Sequence, residues 1–120
     1  SEVGTGGRGV LGGDLNLVGS HEPLKALIRG LDRDGSDLSP VDALRLGERT
    51  YATWRDAQGL FAPGRLDFLL VPDMQTTITN SFVFTTEDLD DEALARLGLE
   101  AGLSARLSDH LIVTADLRFD

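Results

Sequence analysis

The run RLDFLLV, Arg65 to Val71, constrains this chain more than any other stretch. After Asp67 it is continuously apolar, yet far too short for a membrane-spanning helix, which needs about 20 apolar residues. A half-exposed strand would alternate apolar and polar positions; an unbroken apolar run of this length predicts a strand covered on both faces. Any fold built around it must put material on both sides of a sheet.

The rest of the chain supplies that material. Val10 to Leu17 reads as a strand. Glu22 to Arg29 reads as a short helix, with Pro23 early, Leu24, Leu27 and Ile28 at helical spacing, and Gly30 just past the end. Asp32 to Pro40 is read as loop and Val41 to Leu46 as a helical turn. Thr76 to Thr85, rich in β-branched and aromatic residues, is expected to form a strand beside the Arg65–Val71 strand. Thr86 is expected to cap a helix over Glu87 to Leu97 with Leu89, Ala93, Leu94 and Leu97 as its apolar stripe. Leu111 to Phe119 is the last strand. The order is that of a mixed α/β fold.

At 120 residues with 41% hydrophobic content, one domain with a real core is expected. Eleven basic residues against 20 acidic ones give a formal charge of −9, which disfavours a broad nucleic-acid surface. There is no cysteine, so disulfides and thiolate metal sites are excluded. No apolar run approaches a transmembrane span, no signal peptide is visible at the start, and no membrane partner is expected. Ser1 to Gly9 reads as a flexible Gly-rich lead-in. Gly4, Gly6 and Gly9 have the GxGxxG spacing, but a dinucleotide fingerprint needs a strand before the glycines, and here the strand follows.

Several strand edges carry polar residues that packing does not require: Asp14 and Asn16 at the end of the first strand, Asp67 at the start of the central one, and Ser108-Asp109-His110 before the last. Residues at corresponding strand ends can converge on one rim while lying far apart in sequence. Two readings stand for each. Asp14 and Asn16 could serve only to turn the chain, since Asx side chains bond their own backbone, and His110 could be a histidine satisfied by Asp67 for stability alone. Together they could instead form an active-site rim.

GGDLN (Gly12 to Asn16), RLDFLLV and SDHLIV (Ser108 to Val113) occur in the order and approximate spacing of the endonuclease/exonuclease/phosphatase family, the DNase I-like metal-dependent phosphoesterases, which the chain resembles from about Val10 to its end. The resemblance covers about the second half of a family domain. It implies half of an α/β/β/α sandwich: one mixed sheet with helices packed on one face, leaving the other face apolar. That face would be buried by the N-terminal half or by a second copy, so a homo-oligomer is expected. It further implies that Asp14 orients and deprotonates the attacking water and that Asn16 donates an N–H to a phosphate oxygen. His110, paired with Asp67, would donate to a non-bridging oxygen. Asp109 would hold Mg2+ or Mn2+ or a water bound to it. The family's principal glutamate ligand has no counterpart here, so the isolated chain is expected to be inactive. An inactive half-domain that self-associates is the alternative. The family hydrolyses nucleic acids, sugar phosphates and lipid phosphates, and these residues do not distinguish among them.

Smaller signals have simpler readings. Asp32-Arg33-Asp34-Gly35-Ser36-Asp37 resembles a calcium loop, but its glycine falls too early and the terminal glutamate is missing, which favours a solvated Asx turn. His21 reads as an exposed loop residue. Tyr51 and Trp54 read as core or rim packing, with stacking on a substrate as the alternative. Arg65 could pair with a local carboxylate or with a phosphate.

Overall fold

The computed structural model describes residues 9–47 and 49–120. The Gly-rich lead-in, apart from Gly9, lies outside the described residues. The described chain is a mixed α/β structure with six strands, β1 (Leu11–Asp14), β2 (Ser39–Pro40), β3 (Leu44–Arg45), β4 (Asp67–Val71), β5 (Thr76–Phe84) and β6 (Ile112–Phe119). Its helices are α1 (Glu22–Ile28), α2 (Asp91–Leu97) and α3 (Leu103–Leu107). No helix among the described residues is long and apolar enough to cross a membrane.

Where one mixed sheet was expected, there are two three-stranded sheets, with orders β1-β4-β2 and β3-β5-β6. The first is antiparallel throughout; in the second, β3 runs parallel and β6 antiparallel to β5. β5 is therefore not the neighbour of β4. Pro72 and a 3-10 turn over Asp73–Gln75 intervene, and Asp32 fixes that turn by accepting the main-chain N–H groups of Asp73 (2.8 Å) and Met74 (3.4 Å). The chain is thereby carried from one sheet into the other.

β4 is covered on both faces, as its unbroken apolar run requires. Successive side chains of a strand point to opposite faces. Phe68 and Leu70 pack with Leu24 of α1 and with Leu15, Leu17 and Leu27. On the other side Leu69 and Val71 join Val41, Ala43, Val83 and Leu111, with Ile78, Val113, Ala115 and Leu117 of the second sheet against them. The face expected to be left apolar is thus covered by the second sheet. Leu70, Val71, Val41 and Val83 are at most 1% exposed, so the deepest apolar burial lies around β4 and between the sheets.

Four local expectations are corrected. β1 ends at Asp14, three residues early, because the Asp14 carboxylate accepts the Asn16 N–H (2.8 Å) and Asn16 turns into the left-handed region at φ 47°. Val41 to Leu46 is not helical; Leu44–Arg45 is a strand paired with Phe82 and Val83. The Asp32–Pro40 loop ends in β2. Thr86 does not cap a helix: it is buried, and its hydroxyl donates to the Ala101 carbonyl (2.8 Å). Asp90 caps α2 instead, accepting the Ala93 N–H, and Gly98 closes it at φ 67°. With the helix beginning later, Leu94 is buried but Leu97 is 59% exposed.

Candidate functional site

The antiparallel register of β1 and β4 sets Asp14 directly opposite Asp67 at one end of the first sheet. Opposed residues in such a pair have Cβ atoms about 5 Å apart, so two carboxylates share this rim by construction. His110 reaches it from just before β6. The segment Thr53–Trp54 holds the approach: Trp54 bridges both Gly64 and His110, Leu111 donates its N–H to the Thr53 carbonyl (2.6 Å), and Arg55 donates to the Asp109 carbonyl (3.0 Å).

His110 Nδ1 lies 2.8 Å from Asp67 Oδ2, and its Nε2 lies 3.9 Å from Asp14 Oδ2. Nδ1 therefore donates to Asp67, and Nε2 is directed to the Asp14 side of the rim without a hydrogen bond across it. The hydrogen bond to Asp67 is the main cause that raises the His110 pKa; partial burial opposes it, and the charges of Asp67, Asp14 and Asp109 add to it. An imidazolium here is stabilised at pH values where a free histidine is neutral. Asp14 divides its oxygens, with Oδ1 on the Asn16 N–H and Oδ2 toward His110.

Thr53, which no sequence motif singles out, is central to the geometry. Its side chain is 1% exposed. The hydroxyl donates to Asp67 Oδ2 (2.7 Å) and accepts the N–H groups of Leu66 and Asp67 (both 3.0 Å), which exhausts its bonding capacity. Asp67 is thus fixed from below by Thr53 and engaged from above by His110. Trp54 is a strut: its indole Nε1–H donates to Asp109 Oδ2 at 2.9 Å.

Asp14, Asp67 and His110 are brought together, each offering one ligand atom within 4.8 Å of the others. Asp109 flanks His110 in the chain. Asn16 borders the group through its main chain; since the strand has already ended, strand alternation does not set its side-chain direction. Beside Asp109 opens a cleft of about 430 Å3, lined by Arg55, Asp56, Ala105, Arg106, Leu107 and Ser108 among others. Arg55 forms a two-point contact with Glu87, one arm at 2.7 Å, and Arg106 pairs with Glu100.

The smaller signals resolve structurally. Arg65 donates to the Val41 carbonyl (2.6 Å), its guanidinium carbon lies 4.5 Å from the Phe68 ring centroid and 5.4 Å from that of Tyr51, and Asp42 is 3.8 Å away. In the Asp-rich loop Asp34 accepts the N–H and hydroxyl of Ser36, Asp37 accepts the Gly30 N–H, and Asp32 holds the β4–β5 turn. These carboxylates serve the main chain, as an Asx-turn reading requires. His21 is exposed at the start of α1.

Comparison of the chain with protein-family models, with characterised proteins and with solved structures finds no match.

Proposed function

We propose that the chain is the C-terminal catalytic half of a metal-dependent phosphoesterase of the endonuclease/exonuclease/phosphatase type. It would hydrolyse a phosphodiester or phosphomonoester and contribute part of an α/β/β/α sandwich. The carrying observation is the Asp14–His110–Asp67 constellation. A cationic donor, oriented by a buttressed carboxylate, faces a second carboxylate across a gap open to solvent.

That arrangement suits hydrolysis of a phosphoester. With Nδ1–H committed to Asp67, His110 presents Nε2–H to a non-bridging phosphoryl oxygen and offsets the charge that builds there in the transition state. Asp14 Oδ2, on the opposite side of the gap, orients a water and accepts its proton as the water attacks phosphorus; Asn16 is the amide donor beside it. The leaving group would extend toward the cleft flanking Asp109.

The donor chemistry fits a hard divalent ion only in part. His110 Nδ1 and Asp67 Oδ2 bond each other and do not serve as ligands together, whereas Asp109 keeps one oxygen beyond the Trp54 contact. Mg2+ or Mn2+ is commonly held by one or two carboxylates together with waters and substrate phosphate, and Asp109 is the residue of this chain that would hold it. When bound, the ion supplies positive charge at the phosphoryl oxygens and acidifies water.

The test has two readouts on the 120-residue chain. With Mg2+ present, inorganic phosphate is expected to shift the His110 ring resonances in the wild type and not in Asp67→Asn. Any turnover of a generic phosphodiester is expected to vanish in His110→Ala. Ring resonances indifferent to phosphate, or turnover that survives His110→Ala, would overturn the proposal.

A further inference from the structure

The covering of one sheet by the other leaves an open edge rather than an open face. β6 is the outer strand of the second sheet, eight residues long, with no proline, no lysine and no bulge of its own; the register shift in the β5–β6 pair falls between Ile78 and Asn80 on β5. Natural edge strands usually carry such features to block pairing with another chain. At its beginning the edge is occupied, since the Leu111 N–H is bonded to Thr53. Beyond that point no partner strand lies on the outer side of β6 among the described residues.

Strand alternation decides what this edge would accept. Val113, Ala115 and Leu117 point into the space between the sheets and are only half-buried. Asp116 and Arg118 project from the other face and are exposed. An antiparallel copy of β6 centred on Leu117 sets Leu117 against Leu117 of the second copy, and sets Asp116 against Arg118 twice. The charge pattern is therefore self-complementary about a two-fold axis, as an isologous contact requires. Centring on Ala115 instead would set Asp116 against Thr114 and Arg118 against Ile112, with no charge match. Among the described residues Arg118 pairs with Asp120, 3.5 Å away between side chains that are each more than 60% exposed, a contact that competes weakly.

We infer that β6 is a homodimerisation edge, pairing antiparallel with β6 of a second copy about Leu117 to form a continuous six-stranded sheet. The contact is a single strand pair, small by the standard of stable interfaces, so the dimer is weak and concentration-dependent. The charge of −9 on each chain opposes it until salt screens the long-range repulsion.

Sedimentation equilibrium at about 0.15 M ionic strength, over a rising concentration series, is the test. The wild type is expected to show a monomer–dimer equilibrium. Asp116→Arg and Arg118→Asp each turn two attractive cross-strand pairs into two repulsive ones and should raise the dissociation constant about tenfold or more. The double swap restores both pairs and with them the wild-type constant. Both positions are exposed, and unchanged circular dichroism of the single variants separates lost pairing from lost folding. A wild type that stays monomeric throughout, dimerisation indifferent to either reversal, or a double variant that fails to recover would each overturn the inference.

Discussion

Replacing Thr53 with valine preserves the shape of a side chain that is 1% exposed and removes only its hydroxyl. Three hydrogen bonds go with it. The Leu66 N–H, on a residue 8% exposed, is left without a partner, at a cost of about 1–3 kcal/mol for a buried donor. The Asp67 N–H is less buried and reaches water, adding about 0.5–1 kcal/mol. The Asp67 carboxylate loses a charge-assisted bond, about 1.5 kcal/mol at the low end of the range because its side chain is 22% exposed and rehydrates. The added methyl returns about 0.8 kcal/mol through burial. The net loss is about 2–5 kcal/mol, or roughly 10–20 °C in Tm for a chain of this size. Thr53→Ser keeps the hydroxyl and gives up one methyl, for about 1 kcal/mol. Hydrophobic burial alone ranks valine above serine here, whereas the hydrogen-bond account ranks serine above valine, so the order of the two urea midpoints decides between them. A valine variant as stable as the serine variant, with the denaturant slope unchanged, would refute the role given to the Thr53 hydroxyl.

The Asp67 bond raises the folded-state pKa of His110 above its ordinary value. The stability this contributes is fully present below the unfolded-state pKa of about 6.5 and is lost as pH rises through the raised folded value. The difference in urea midpoint between wild type and Asp67→Asn should therefore shrink as pH rises through that window, and NMR titration should find the His110 pKa lowered in the variant; a difference that grows with pH would contradict the pairing. Arg45 grips Asp88 at two points (2.6 and 3.2 Å) with side chains 15% and 5% exposed. Asp88→Ala should cost about 3 kcal/mol by denaturant titration because a nearly buried guanidinium loses its carboxylate, while a cost below about 0.5 kcal/mol would show that the pair behaves as a surface contact.

The central strand and the meeting of Asp14, Asp67 and His110 at one sheet end were legible for the same physical reason: their signals are local. An apolar run of one length requires cover on both faces, and polar residues at strand ends stand out against it. The division into two sheets was not legible, because the turn after Pro72 is held by Asp32, 41 positions earlier in the chain. The late start of α2 follows from competition between two caps: Thr86 has the right side chain, but its hydroxyl is bonded to Ala101 and Ser104, leaving Asp90 to open the helix. Thr53 escaped notice because a threonine that saturates its hydroxyl against a distant carboxylate has no sequence signature distinguishing it from a surface threonine.

Asp14 shows why the turn reading and the rim reading are not rivals. Its Oδ1 holds the Asn16 N–H and ends β1, the task of an ordinary Asx turn, and this same bond fixes the carboxylate plane. With one oxygen held by the backbone, Oδ2 has a defined direction, and it faces His110 Nε2. A carboxylate free of the turn would sweep through its rotamers and spend little time at any one position beside a reacting group, losing the orientation on which intramolecular rate advantages depend. The left-handed φ of Asn16 belongs to the same device, since a regular extended conformation there would carry the strand past Asp14. What looks like structural duty at the end of a short strand therefore also sets which way the Asp14 carboxylate faces.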